Sequence, residues 1–141
     1  MTFKFEARAY GPDSTSEEVQ AIRDRVYKYR DGIVMYRELP IQSPFQLDIF
    51  QETLTEEGAG VPSYDLLIDL TEAQPPNAEI RSRLKRLFGS QANLRTAAVF
   101  TGKNFMLNVA AKFVLSGIGL KSFSVHKTLE QALQALSNEP K

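Results

Sequence analysis

The sequence predicts a single α/β domain built on a mixed, mainly parallel sheet of about four to six strands flanked by helices. Three observations carry this. From residue 33 onward, strand-like runs alternate with helix-like runs, with no linker or low-complexity segment between them. Two of these runs, Tyr64–Leu70 and Leu94–Thr101, are nearly continuous apolar material between turn residues, as expected of adjacent central strands covered on both faces. A chain of 141 residues with 43% hydrophobic and 24% charged side chains can also bury about 68–70% of its unfolded surface, so it needs no covalent staple.

Residues 1–24 read as an N-terminal extension with two descriptions. Phe3, Phe5, Ala7 and Ala9 alternate with polar residues, which suits a strand. Val19, Ile22, Val26 and Tyr29 fit one face of a helix that Ser14 and Glu17 could cap. Yet Val26–Tyr29, Arg30-Asp31-Gly32 and Ile33–Tyr36 also form a hairpin pattern, because Asp-Gly suits a type I′ turn. Residues 16–30 are therefore contested between helix and strand, and a short helix giving way to the hairpin is the preferred arrangement.

The core, residues 25–137, follows in order. Ile33–Leu39 is β-branched and aromatic, hence a strand. Ser43-Pro44-Phe45-Gln46 opens a helix: serine caps, proline takes the first helical position, and glutamine stands three residues after the cap. Phe45, Ile49, Phe50 and Leu54 form that helix's buried stripe, and Gly58 and Gly60 end it. After Pro75-Pro76, Asn77 caps a helix with Ile80, Leu84, Leu87 and Phe88 inward and Arg81, Arg83, Lys85 and Arg86 elsewhere. A helix from about Asn104 to Ser116 follows the strand Leu94–Thr101. The strand Ser122–His126 and a helix bearing Leu129, Leu133 and Leu136, with Thr128 and Gln131 as its capping box, complete the pattern.

The strand Ile33–Leu39, the run ending Ile68-Asp69-Leu70-Thr71 and the tail together resemble a STAS domain. In the tail, Lys112-Phe113-Val114-Leu115-Ser116-Gly117 leads through Leu120 and Phe123 to Leu129-Glu130-Gln131-Ala132-Leu133. The resemblance covers residues 25–137 and extends to the looser SpoIIAA-like group, which shares its architecture with CRAL-TRIO lipid-transfer domains. It implies a bacterial-type regulatory, protein-binding module of the anti-sigma factor antagonist kind. Switch-type antagonists carry an Asp-Ser-Ser-Gly-like motif where a helix begins after the central strand. Here Pro75-Pro76-Asn77-Ala78-Glu79 stands there, without a hydroxyl, so the phosphorylation switch is not carried over. Thr71 is the nearest hydroxyl.

Composition narrows function further. The chain has no cysteine and one histidine, which removes thiolate chemistry and leaves no metal-ligand spacing. The opening residues lack a signal peptide's basic-then-apolar plan, and the longest apolar stretch, Phe105–Leu120, carries Asn108, Lys112 and Ser116. A soluble, cytoplasmic protein without a transmembrane segment is expected. Net charge is zero, yet Asp48 to Glu72 holds seven acidic residues and no basic one, and Arg81 to Thr128 holds nine basic residues and no acidic one. The halves either face each other or leave an electropositive surface for an anion or an acidic partner. Nucleic acid is not expected, since the basic half lacks interleaved aromatics and any recognised motif. Asp65 and Asp69 read as a solvated strand-end pair and His126 as a surface or cap residue. No catalytic set and no cofactor are expected.

The expected binding region is the end of the sheet where strands hand over to helices. It comprises Thr71, Gln74 and Asn77 after one central strand and Thr101, Gly102, Lys103 and Asn104 after the other. Thr101-Gly102-Lys103-Asn104 could hold an anion on free N–H groups; the plainer and preferred reading is a turn with glycine at positive φ and Asn104 as cap. The helix after it is unusually apolar. Met106, Val109, Ala110, Phe113, Val114 and Gly117 form one face, widened by Phe105, Leu107, Ala111 and Leu115. Such a face lies in the core or is covered by a second subunit in a homodimer, or by a lipid chain. A protein-binding regulator is therefore the leading reading, and a carrier or sensor of a lipid or small anion the alternative.

Overall fold

The strands pair in sequence order, so each crossover moves the chain one place along the sheet. A computed structural model describes residues 3–117, 120 and 122–137. Its elements are α1 (Ser16–Arg23), β1 (Val26–Arg30), β2 (Ile33–Arg37), α2 (Pro44–Gly58), β3 (Tyr64–Asp69), α3 (Ala78–Gly89), β4 (Leu94–Phe100), α4 (Phe105–Gly117), β5 (Phe123–His126) and α5 (Leu129–Ser137). The sheet order is β1-β2-β3-β4-β5. β1 and β2 are antiparallel, and β2, β3, β4 and β5 are parallel. The chain is thus an α/β domain with a five-stranded, mostly parallel sheet. β3 and β4 lie next to each other in its interior, as their nearly continuous apolar runs predict.

The main core lies on the face crossed by α1, α2, α3 and α4. There Val34, Tyr36, Leu66, Ile68, Ala97 and Val99 of the sheet meet Ile22, Phe50, Leu54, Leu84, Leu87 and Leu115. The other face is covered by α5, whose Ala132 and Leu136 pack on Met35, Leu67, Ala98 and Phe100.

Local chemistry explains most element boundaries. Ser43 Oγ accepts from Gln46 N while Gln46 Oε1 accepts from Ser43 N, closing the capping box of α2. Asn77 Oδ1 accepts from Ile80 N to start α3. Several expectations are corrected. The cap of α1 is Thr15 with Glu18, one residue beyond Ser14 and Glu17, and the Ser14 hydroxyl instead donates to Gly11 O. Phe3–Ala9 is not a strand; it lays Phe5 against the core, with Tyr10 buried just after it. The hairpin is present, but only Gly32 takes a left-handed φ, +77°. A type I′ turn needs two such residues, and the pairing shifts between Lys28 and Arg30 instead. α2 ends at Gly58 with Ala59 in the right-handed region. Gly58 is required for a different reason, because a Cβ there would stand 2.8 Å from Tyr64 Cε1.

Candidate functional site

The carboxyl ends of β2, β3 and β4 deliver three loops to one end of the sheet. Glu38 N donates to Asp69 O (3.0 Å) and Leu70 N to Phe100 O (3.0 Å), so the strands finish level. Gln74 N then donates to Pro40 O at 3.0 Å, and the Gln42 side-chain amide donates to Gln74 O at 3.2 Å. A Cβ on Gly102 would lie 3.6 Å from Thr71 Cγ2, so the loops after β3 and β4 also touch. All seven residues expected at this end are there.

Their roles differ. Thr71 is exposed and turns the chain, its N–H and hydroxyl both donating to Asp69 Oδ1 at 2.9 and 2.6 Å. Asn77 and Asn104 are helix caps, Asn104 Oδ1 accepting from Leu107 N at 3.0 Å. Thr101 is buried, and its N–H donates to His126 O while that of Gly102 donates to Lys127 O. These two N–H groups therefore secure β4 to the chain after β5. Gly102 has φ +73°, the conformation of the turn described above. Lys103 is exposed and has no ion pair among the described residues.

Two further features lie at this end of the sheet. One is a cavity of about 50 Å³ between α3, α4 and the sheet. Ile68, Leu84, Phe88, Leu107, Ala111 and Leu115 wall it, Pro75 and Pro76 close one side, and Glu38, Gln42 and Gln74 supply its polar end. Exposed Gln74 and Pro75 stand at its rim. The other is Glu38 itself, 2% exposed. Its Oε2 accepts from the Tyr36 hydroxyl at 3.0 Å and its Oε1 from Leu39 N at 3.1 Å. Burial pushes its carboxyl up to about 7, only partly countered by these donors and by Arg25. The same burial, with Glu38 beside it, raises the Tyr36 hydroxyl well above its usual value. Arg25 does not bond that carboxylate. Its guanidinium donates to Arg37 O, Glu38 O and Glu72 Oε2 at 3.0, 2.7 and 2.9 Å. The sequence carries one signal for Glu38: by the two-residue period of a strand it shares a face with Val34 and Tyr36.

α4 divides its apolar residues between core and surface. Leu107, Ala111 and Leu115 are buried, whereas Met106, Val109 and Phe113 are 73%, 47% and 76% exposed. Of the face read from the sequence, these three are outward, while Val114 packs on the core and Ala110 lines the cavity. Beside it, Arg81 and Lys85 of α3 border the same depression as Phe113 and Val114. The charged halves meet in only two ion pairs among the described residues, Arg83–Asp48 at 3.4 Å and Arg95–Asp65 at 2.6 Å. The other acidic residues of the middle segment that pair do so with Arg23, Arg25 and Arg37. This leaves Arg81, Lys85, Lys103 and Lys112 without carboxylate partners among the described residues.

Asp65 and Asp69 are not a solvated pair. Asp65 is buried at the amino end of β3 against Arg95, because that strand is covered on both faces; Asp69 at the other end pairs with Arg37 at 3.4 Å. His126 Nε2 lies 2.8 Å from Ser124 Oγ on edge strand β5. No carboxylate orients the imidazole among the described residues, so the pair lacks the third member of a nucleophile–base set. No group of three or more potential ligands could hold a metal, and no helix is long and apolar enough to cross a membrane, among the described residues. No protein-family model, curated protein or solved structure matches the chain.

Proposed function

We propose that the chain is a cytoplasmic, non-enzymatic regulatory module that binds an acidic, amphipathic segment of a partner protein. The observation that carries this reading is the outward apolar stripe Met106–Val109–Phe113 on α4. Large apolar side chains left in water at helical spacing are unfavourable unless something covers them. Arg81 and Lys85, which border the same depression as Phe113, and Lys103 in the turn that precedes α4 have no carboxylate partner among the described residues and favour an acidic occupant. The STAS resemblance supports the same class, and ligand crevices of open α/β sheets lie at this end. The test is affinity capture by wild type, Phe113→Ser, Lys103→Glu and the remote control Lys28→Glu, at low and high salt. A protein held by wild type and Lys28→Glu, lost from Phe113→Ser, and lost from Lys103→Glu mainly at low salt supports the reading. Equal capture by all four overturns it.

A second reading, a carrier or sensor of a small ligand, is favoured by the apolar cavity beneath α4. It places the ligand on the inner side of the helix whose outer side meets the partner, so that one helix would report occupancy to the other site.

A further inference from the structure

We propose that the cavity between α3, α4 and the sheet binds a small amphiphile with an apolar body of about two or three carbon atoms, whose hydroxyl or ammonium group donates a hydrogen bond to the Glu38 carboxyl. This rests on the carrier reading and names the class of ligand.

Size comes first. A cavity of about 50 Å³ holds roughly three or four waters, and that many waters fill about 100 Å³ of liquid, close to the volume of a short alcohol. Its walls are Ile68, Leu84, Phe88, Leu107, Ala111 and Leu115, which offer water nothing to bond and an alkyl chain close contact on all sides.

Polarity decides the head group. Of the described side chains that line the cavity, none is cationic and the one carboxylic acid is Glu38. An ionised carboxylate has about four acceptor positions; the Tyr36 hydroxyl and Leu39 N occupy one on each oxygen. The guanidinium of Arg25 is turned to main-chain carbonyls and to Glu72. The carboxylate is thus buried, bonded on both oxygens, unpaired with a cation, and able to accept more. A donor answers that need, whereas an anionic head would meet like charge in an apolar site. The expectation of a small anion does not suit this cavity.

Four groups set the pH dependence: Glu38, Tyr36 on the same strand, Arg25 before β1, and Glu72, which partners Arg25. The Glu38 carboxyl, pushed up to about 7 by burial, changes charge near neutrality. An ammonium ligand gains the full ion pair when Glu38 is ionised, so its affinity rises between pH 5.5 and pH 8. An alcohol changes little, because either form of the carboxyl can bond it.

The experiment is a two-dimensional amide NMR titration of the full chain with 1-propanol, n-propylamine and propanoate, at pH 5.5 and pH 8, for wild type and Glu38→Gln. The expected result is saturable shifts at Leu39, Leu107 and Ala111 with propanol and propylamine. Propanoate at pH 8 binds at least tenfold more weakly, propylamine gains about tenfold from pH 5.5 to pH 8, and Glu38→Gln abolishes that gain. Equal binding of the three probes, or an unchanged order in Glu38→Gln, overturns the assigned ligand class while leaving the cavity a ligand site. Absence of saturable shifts with every probe overturns both the inference and the carrier reading. The wild-type pH series and probe ranking decide the matter even where the variant folds poorly.

Discussion

α3 and α4 are consecutive crossover helices over the same face of the sheet, and they divide their side chains between core and solvent in opposite ways. α3 buries Ile80, Leu84, Leu87 and Phe88 and turns its cations outward. α4 is much the more apolar, yet it buries Leu107, Ala111 and Leu115 and leaves Met106 and Phe113 in water. Both helices are capped by asparagine, and both follow turns tied to neighbouring strands or loops. The difference lies in how far apolar residues spread around each helix: α3 confines them to one stripe, whereas α4 carries them around most of its circumference, more than one side of a sheet can cover. An apolar arc in excess of what the core can take is then available to another molecule.

The largest effect should come from a direct contrast of the two helices. Leu87→Ala, at a site 1% exposed, should cost about 2–5 kcal/mol in urea unfolding. Met106→Ala, at a site 73% exposed, should change stability by less than about 0.5 kcal/mol. Similar losses at both positions would show that α4 uses its outer arc structurally, and the comparison would fail.

The gap between the helices provides the second test. Glu38 lies at its floor, and burial raises its carboxyl from the ordinary 4.5 to about 7. A raised carboxyl means that the folded chain holds the proton over a range where the unfolded chain has released it. Stability from this group is therefore complete below about pH 4.5 and is lost as pH rises towards about 7. At roughly 1.4 kcal/mol for each pH unit, the loss is about 3 kcal/mol. Glu38→Gln should flatten wild type's decline across that window and exceed its stability at pH 8. A decline of the same slope in the variant would assign it to other groups.

The sequence made the sheet readable and the site only partly so. β3 and β4 were legible because a strand covered on both faces has to be apolar through its middle, and Leu66–Ile68 and Ala97–Phe100 are. α2 and α3 were legible from their caps, Ser43 and Asn77, whose hydrogen bonds are local. Phe3–Ala9 misled because alternation also describes an irregular segment that drops single side chains such as Phe5 onto a core. α4 misled because its apolar residues span so much of its circumference that helical periodicity no longer points in one direction. Glu38 escaped notice because a charged residue after a strand normally meets water; burying it required the loops at Pro40 and Gln74 to close over that end, a tertiary event.

The smallest effect is expected on the polar side of α4, where Asn108 and Lys112 face His126 across an open depression. His126 is half-buried and touches Ser124 Oγ at 2.8 Å. Partial burial lowers its pKa from the usual 6.5, so the folded chain favours the neutral ring. The unfolded chain then binds more protons just below pH 6.5, and this contribution is present above that pH and lost as pH falls through the folded value. Glutamine cannot titrate but can still bond a hydroxyl. His126→Gln should therefore remove a shallow acid-side dependence and change stability at pH 7 by less than about 0.5 kcal/mol, as surface substitutions usually do. Partner capture should be unaffected, because the stripe of Met106, Val109 and Phe113 lies on another arc of the helix. A loss above about 2 kcal/mol in thermal or urea unfolding, or loss of the captured partner, would mean that the polar arc of α4 and β5 also carries fold or function. The contrast between α3 and α4 would then have to be redrawn around that edge of the sheet.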